Sequence, residues 1–214
     1  MAEIWTKEYK LERYRKMNET VKPGQVVCAG SSLMEMFPIE KFVEEDGNPI
    51  VVYNRGIGGF VSRELLENID VCILDLSPSR LFLNIGTNDL SNAEISLRQL
   101  METYEQILDR VKGALPSVEI YLMAYYPINY EAAAPEMKEC LKIRTNEKIN
   151  GANELVKILA QEKGARYIDI NEPLKDGAGR LKAEYTIEGM HIKEEGYRAI
   201  YPKFMKYATE PAWK

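Results

Sequence analysis

Histidine is nearly missing from this sequence: a single imidazole, that of His191, serves 214 residues. Metal sites built on imidazole usually take two or three rings, and neither H-x-x-x-H nor C-x-x-C spacing occurs, so a zinc hydrolase is not expected and no metal or organic cofactor is implied. Cysteine is sparse too. Cys28, Cys72 and Cys140 are odd in number and irregular in spacing, which supports neither a disulfide framework nor a metal cluster; they read as buried or half-buried thiols. No apolar run approaches the roughly 20 residues that span a bilayer, and the opening MAEIWTKEYKLERYRKMNET is too charged for the core of a signal peptide. The expectation is a cytoplasmic protein with no membrane insertion. An excess of positive charge is also lacking: the net charge of −5 argues against nucleic acid as a partner.

What the sequence does hold is the 45% hydrophobic and 29% charged composition of an ordinary globular chain. Its length suffices to hide roughly 70% of the unfolded surface in one domain over residues 1–214. Apolar, β-branched runs at 25–29, 49–54, 80–85, 118–126 and 165–170 read as strands. Helical periodicity lies between them, at about 62–70, 93–113, 135–163 and 194–209. An opening helix over about 3–19 pairs Trp5 with Tyr9 and Leu11 with Tyr14, a spacing suited to packing on the body of the domain or to a homo-oligomer contact. Strands that are nearly continuous apolar runs, each separated by a helix, predict a parallel sheet covered on both faces: an α/β fold, a three-layer α/β/α sandwich around a five-stranded parallel sheet.

In open α/β sheets ligands gather beyond the carboxyl ends of the strands, so the loops there are the places to look. The first carries Gly30-Ser31-Ser32, the second NRGIGGF (54–60), the third GTNDLS (86–91), and after the fifth strand comes TIEGMHIKEEGY (186–197) with the sole histidine. A serine hydroxyl is a weak nucleophile at neutral pH and becomes effective when a neutral imidazole within hydrogen-bond reach takes its proton. Ser31 or Ser32 could serve. Glu188, three residues before His191, could accept from the ring nitrogen that faces away from the serine and so fix tautomer and orientation. Cys28 lies inside the first strand, before the turn, and reads as a buried thiol rather than a nucleophile.

These four segments resemble the blocks of the SGNH hydrolase superfamily, also called the GDSL esterase or lipase family. They are Gly30-Ser31-Ser32-Leu33, Asn54-Arg55-Gly56-Ile57-Gly58-Gly59, Gly86-Thr87-Asn88-Asp89 and Glu188-Gly189-Met190-His191, in the family's order and across nearly the whole chain. The resemblance implies the flavodoxin-like SGNH hydrolase fold. It implies Ser32 as nucleophile, His191 as general base, and the Ser32 N–H, the Gly59 N–H and the Asn88 amide as oxyanion donors. Gly30 would permit the tight turn from strand to helix. Two departures stand out. Ser31 replaces the usual aspartate, tolerable if that position makes a local turn bond, and Glu188 replaces the usual aspartate with one more methylene. The alternatives are a Ser32-His191-Glu188 triad or a Ser32-His191 dyad oriented by a backbone carbonyl.

Phe60, Leu90, Tyr125, Tyr126 and Met190 are candidate pocket walls, with core packing the alternative for each. Arg55 and Asp89 read as solvated or turn-stabilising, and Thr87 as bonded within its own loop. The function so implied is a serine esterase, a carboxylic ester hydrolase acting on short acyl, in particular acetyl, esters of carbohydrates or small alcohols. A thioesterase or lysophospholipase on the same site is the nearer alternative, and a non-catalytic carbohydrate-binding module with a decayed triad the more distant one.

Overall fold

The apolar run that follows Gly24 becomes the first strand of a parallel sheet. The computed structural model describes residues 6–213. In chain order its elements are α1 (Lys7–Asn18), β1 (Val26–Gly30), α2 (Ser32–Glu35), α3 (Ile39–Glu45), β2 (Val52–Gly56), α4 (Ser62–Glu67) and α5 (Ile69–Cys72). There follow β3 (Arg80–Asn84), α6 (Thr87–Leu90), α7 (Leu97–Ala114), β4 (Glu119–Met123), α8 (Lys138–Ile143), α9 (Asn146–Glu162), β5 (Arg166–Ile168) and α10 (Glu194–Thr209). The five strands are parallel, in the order β2-β1-β3-β4-β5. No described helix is long and apolar enough to cross a membrane.

Alternation along each strand builds two cores. Val27 and Ala29, Leu81 and Leu83, and Ile120 and Leu122 face one side, where they pack with apolar residues of α4, α5, α7 and α9. Cys28, Phe82, Tyr121 and Met123 face the other, against α3 and α10. Aromatic stacking fills that second layer: the Phe82 ring lies 4.6 Å from both Tyr121 and Phe204, and Phe37 lies 4.8 Å from Tyr197. Both faces are therefore dry, which is why the strands read as unbroken apolar runs rather than as alternating ones.

The strand order reverses direction between β1 and β3, and ligands of open α/β sheets bind outside such a switch point. Gly30 at the end of β1 is level with Gly56 on one side and Asn84 on the other. The loops after β1, β2 and β3 thus leave the sheet together. The amino-terminal helix α1 does pack on the body: Leu11 is buried, the Tyr14 hydroxyl donates to Gly56 O at 2.7 Å, and Asn18 Nδ2 donates to Val71 O at 2.8 Å. Trp5 lies outside the described residues.

Two predicted helices come out divided. The run over 62–70 is two short helices, α4 and α5, joined at Asn68. The run over 135–163 is a short 3₁₀ turn (Pro135–Met137) followed by α8 and α9, broken at Arg144 and restarted by Thr145, whose Oγ1 accepts the Lys148 N–H at 3.1 Å. A threonine at an N-cap competes for the backbone donors of the following turn and so punctuates an otherwise continuous helical pattern. The start of α7 at Leu97, later than periodicity suggested, has a similar cause in the reciprocal Ser96–Gln99 capping box.

Candidate active site

The first loop answers why the chain stops on Gly30. A Cβ there would stand 2.2 Å from Asn84 O on the neighbouring strand, so glycine is required by the close approach of β3 rather than by the conformation of the turn. Ser31 follows in extended conformation and is fully buried, with its Oγ 3.3 Å from Thr87 Oγ1. Neither hydroxyl makes the local bond expected of it; the pair instead ties the β1 loop to the β3 loop. Ser32 opens α2, a single turn, and is half-buried. The Ser32 contribution is therefore its free N–H, not the dipole of a long helix. The Tyr197 hydroxyl on α10 donates to Leu33 O at 2.7 Å and tethers this turn to the helix that begins just after His191. Burial pushes the Tyr197 phenol well above its ordinary pKa, so it remains a donor. Tyr197→Phe leaves a buried carbonyl unpaired and is expected to cost about 1–3 kcal/mol; an unchanged Tm in thermal unfolding contradicts the tether.

Ser32 and His191, 159 positions apart, meet: Ser32 Oγ lies 3.0 Å from His191 Nε2. On the other side of the ring, Nδ1 lies 2.7 Å from Glu188 Oε1, and the same oxygen accepts the His191 backbone N–H at 3.1 Å. A carboxylate only accepts, so Nδ1 carries the proton and Nε2 presents its lone pair to the serine. The extra methylene of Glu188 is absorbed because the loop folds back on itself. Ile187 N donates to His191 O at 2.9 Å and Gly189 N to Thr186 Oγ1 at 2.7 Å, closing the hairpin. Asn129 N and Ala134 N, from the segment after β4, brace it at Gly189 O (2.8 Å) and Glu188 O (3.2 Å).

The second loop is fixed from α2 and α1. Glu35 Oε2 accepts the Gly58 N–H at 2.7 Å, while its Oε1 pairs with Lys10 at 2.6 Å. A Cβ on Gly58 would lie 3.8 Å from Ser32 Cβ, which places this loop beside the serine. Gly59 then takes φ +79°, a left-handed conformation that costs an L-residue roughly 1–2 kcal/mol. Its N–H and that of Ser32 have no acceptor among the described residues. From the third loop, Asn88 Nδ2 donates to Phe60 O at 2.9 Å, which leaves its second hydrogen unassigned.

The sequence profile of the GDSL-like lipase/acylhydrolase family matches residues 39–199, three quarters of the chain. The chain belongs to this family. It is an SGNH-type carboxylic ester hydrolase. A structure from Streptococcus pneumonia, solved under the provisional name of a platelet activating factor, superposes on this acylhydrolase with a TM-score of 0.83 at 30% identity, over 94% of this chain and 92% of that one. A catalytic mutant of an acetylxylan esterase from Geobacillus stearothermophilus shares the fold, with a TM-score of 0.67 at 14% identity over 89% of this chain and 96% of the other. The N-acylneuraminate cytidylyltransferase of Escherichia coli O18:K1:H7 (strain RS218 / NMEC) is 25% identical over 186 residues, 86% of this chain, which spans 40% of that relative's length.

The expected pocket wall of the acylhydrolase needs correction. Phe60, Leu90, Tyr125 and Tyr126 are each 1% exposed and Met190 is 7% exposed, so all five belong to the core. Tyr125 has spent its hydroxyl on Ile85 O at 2.8 Å. The large apolar side chains that do reach solvent next to site residues are Met36, after α2, and Ile187, before Glu188. Arg55 is not solvated either. It is buried, its guanidinium carbon stands 4.9 Å from the Tyr14 ring centroid, and it donates to Asn18 Oδ1 at 3.1 Å. Asp89 is buried as well and serves no turn of its own: it accepts from Ser62 N at 3.0 Å and Ser62 Oγ at 2.6 Å at the start of α4, and burial raises its carboxyl above the ordinary pKa. Cys28 is fully buried, and burial pushes its thiol well up, as expected of an inert core cysteine; Cys72 is likewise buried, and Cys140 half-buried.

Arg144 is the site residue that the sequence did not reveal. It is 2% exposed and donates through Nη2 to Asn88 Oδ1 at 3.0 Å. The signal was Thr145: reading it as an N-cap would have broken the helix one residue after an arginine and freed that side chain to turn inward.

Proposed function

We propose that this acylhydrolase cleaves short acyl esters, acetyl esters first among them, of carbohydrates or small alcohols through an acyl-serine intermediate on Ser32. The carrying observation is the aligned row of Ser32 Oγ, 3.0 Å from His191 Nε2, and His191 Nδ1, 2.7 Å from Glu188. In the first half-reaction Ser32 Oγ attacks the ester carbonyl while Nε2 takes the hydroxyl proton. The tetrahedral oxyanion sits against the free N–H groups of Ser32 and Gly59 and the second Nδ2 hydrogen of Asn88. Collapse breaks the bond to the alcohol oxygen, which leaves with the proton from Nε2. Water then attacks the acyl-serine by the same route, and the carboxylic acid departs. Glu188 holds the ring and stabilises the imidazolium formed in each half.

Several features support a short acyl group. Ser32, His191 and Gly59 reach solvent, and Phe60, Leu90, Tyr125, Tyr126 and Met190, which could have lined an acyl channel, are packed inward. The sugar side draws support from the Escherichia coli relative, whose name is that of an enzyme acting on N-acylneuraminate, and from the acetylxylan esterase that shares the fold. A panel of acetylated sugars, chromogenic esters from acetate to laurate, an acyl thioester and a lysophospholipid tests the reading. Acetate is expected to exceed octanoate in kcat/KM by at least about tenfold. A maximum at long chains, or a preference for the thioester or lysophospholipid, overturns it.

A further inference from the structure

A buried arginine with no carboxylate partner needs a reason, because an uncompensated charge is expensive to keep out of water. Arg144 sits in the break between α8 and α9, and no described carboxylate forms an ion pair with it. Its contacts are all neutral: Nη2 donates to Asn88 Oδ1 at 3.0 Å, Nε to Ser91 Oγ at 2.6 Å, and Nη1 meets Met190 Sδ. Asn88 and Ser91 belong to α6 and its cap, while Met190 immediately precedes His191. One guanidinium therefore clamps the helix that carries the amide donor to the segment that carries the base.

We propose that Arg144 is the positioning residue for Asn88, fixing which end of its amide faces the oxyanion and strengthening it as a donor. The inference rests on the reading of Asn88 given above. Guanidinium has donors only, so the atom it touches must be Oδ1, and Nδ2 is turned toward Phe60 O and the reacting carbonyl. A cation on Oδ1 polarises the amide and makes its N–H a better donor in a low-dielectric setting. Burial lowers the Arg144 pKa to about 10, so the group stays charged at neutral pH. The Asp89 and Glu188 carboxylates offset part of the charge without touching it. The oxyanion adds negative charge next to the amide that Arg144 holds, a gain made only as the transition state is approached, which lowers a barrier rather than tightening ground-state binding.

A double-mutant cycle tests this, with kcat and KM measured on a chromogenic acetate ester and referenced to sites labelled by a fluorophosphonate. Asn88→Ala is expected to lower kcat about 10²- to 10³-fold. Arg144→Met is expected to remove part of that, at least about tenfold, with KM within about twofold, and Arg144→Lys to restore some of it. In the Asn88→Ala background either Arg144 substitution should then change kcat little, because its route of action is gone. Losses that multiply across the cycle, or that fall on KM, overturn the positioning role while leaving the oxyanion reading intact. Full kcat in Asn88→Ala overturns both. Should Arg144→Met fail to unfold cooperatively, the Arg144→Lys cycle decides alone.

Discussion

Ser32→Ala is expected to lower kcat on a chromogenic acetate ester by roughly 10⁴- to 10⁶-fold, to the level that binding and the oxyanion donors alone provide. The loss should fall on kcat with KM little changed, since the hydroxyl acts on the carbonyl only as the transition state is approached. Stability should not follow. Ser32 is half-buried and the described partner of its hydroxyl is His191, so the alanine variant should unfold near the parent Tm. The neighbouring serine supplies the control. Ser31 Oγ touches Thr87 Oγ1 at 3.3 Å and faces no imidazole, so Ser31→Ala should keep turnover within about tenfold while losing some stability. Turnover that survives Ser32→Ala, or collapses instead in Ser31→Ala, assigns the nucleophile wrongly.

Glu188→Gln is the second large effect, with kcat falling about 10²- to 10⁴-fold at nearly constant KM. Glutamine preserves the volume and can still meet Nδ1. Its amide, however, offers a donor where the carboxylate only accepted, and so lets the ring settle in the tautomer that turns an N–H toward Ser32. The neutral side chain also gives up the charge that stabilises the imidazolium. The effect should be large because Oε1 holds both the ring Nδ1 at 2.7 Å and the backbone N–H at 3.1 Å. Nearly full turnover in Glu188→Gln identifies a dyad instead, with the ring oriented by other means.

Much of this arrangement was legible in the sequence because its physics is local or periodic. Strands buried on both faces leave apolar runs such as QVVCA and RLFLNI, and α10 spans the 194–209 of its periodic pattern. The loops that hold Ser32, Gly59, Asn88 and His191 could be singled out because each lies at the carboxyl end of the sheet or just after the last strand, and the resemblance to the SGNH hydrolases picks out those residues within them. What was not legible depends on which way a side chain turns. Tyr125, Tyr126 and Phe60 have the composition of a pocket wall and of a core equally, and only packing decides between them. Ser31 and Thr87 read as locally bonded because no sequence pattern announces a contact between residues 56 positions apart. Arg144 was hidden differently. Arginine in an amphipathic run reads as a solvated face, and the helical period on both sides of Thr145 masked the break that points it inward.

The whole arrangement depends on a serine hydroxyl activated by an imidazole from the far end of the chain. Incubating the intact protein with a fluorophosphonate and mapping the adduct by peptide mass spectrometry tests that most directly. One phosphonyl group per chain is predicted, on Ser32, with labelling slowed strongly in His191→Ala. A folded protein that stays unlabelled, or that carries the adduct on another residue, contradicts it.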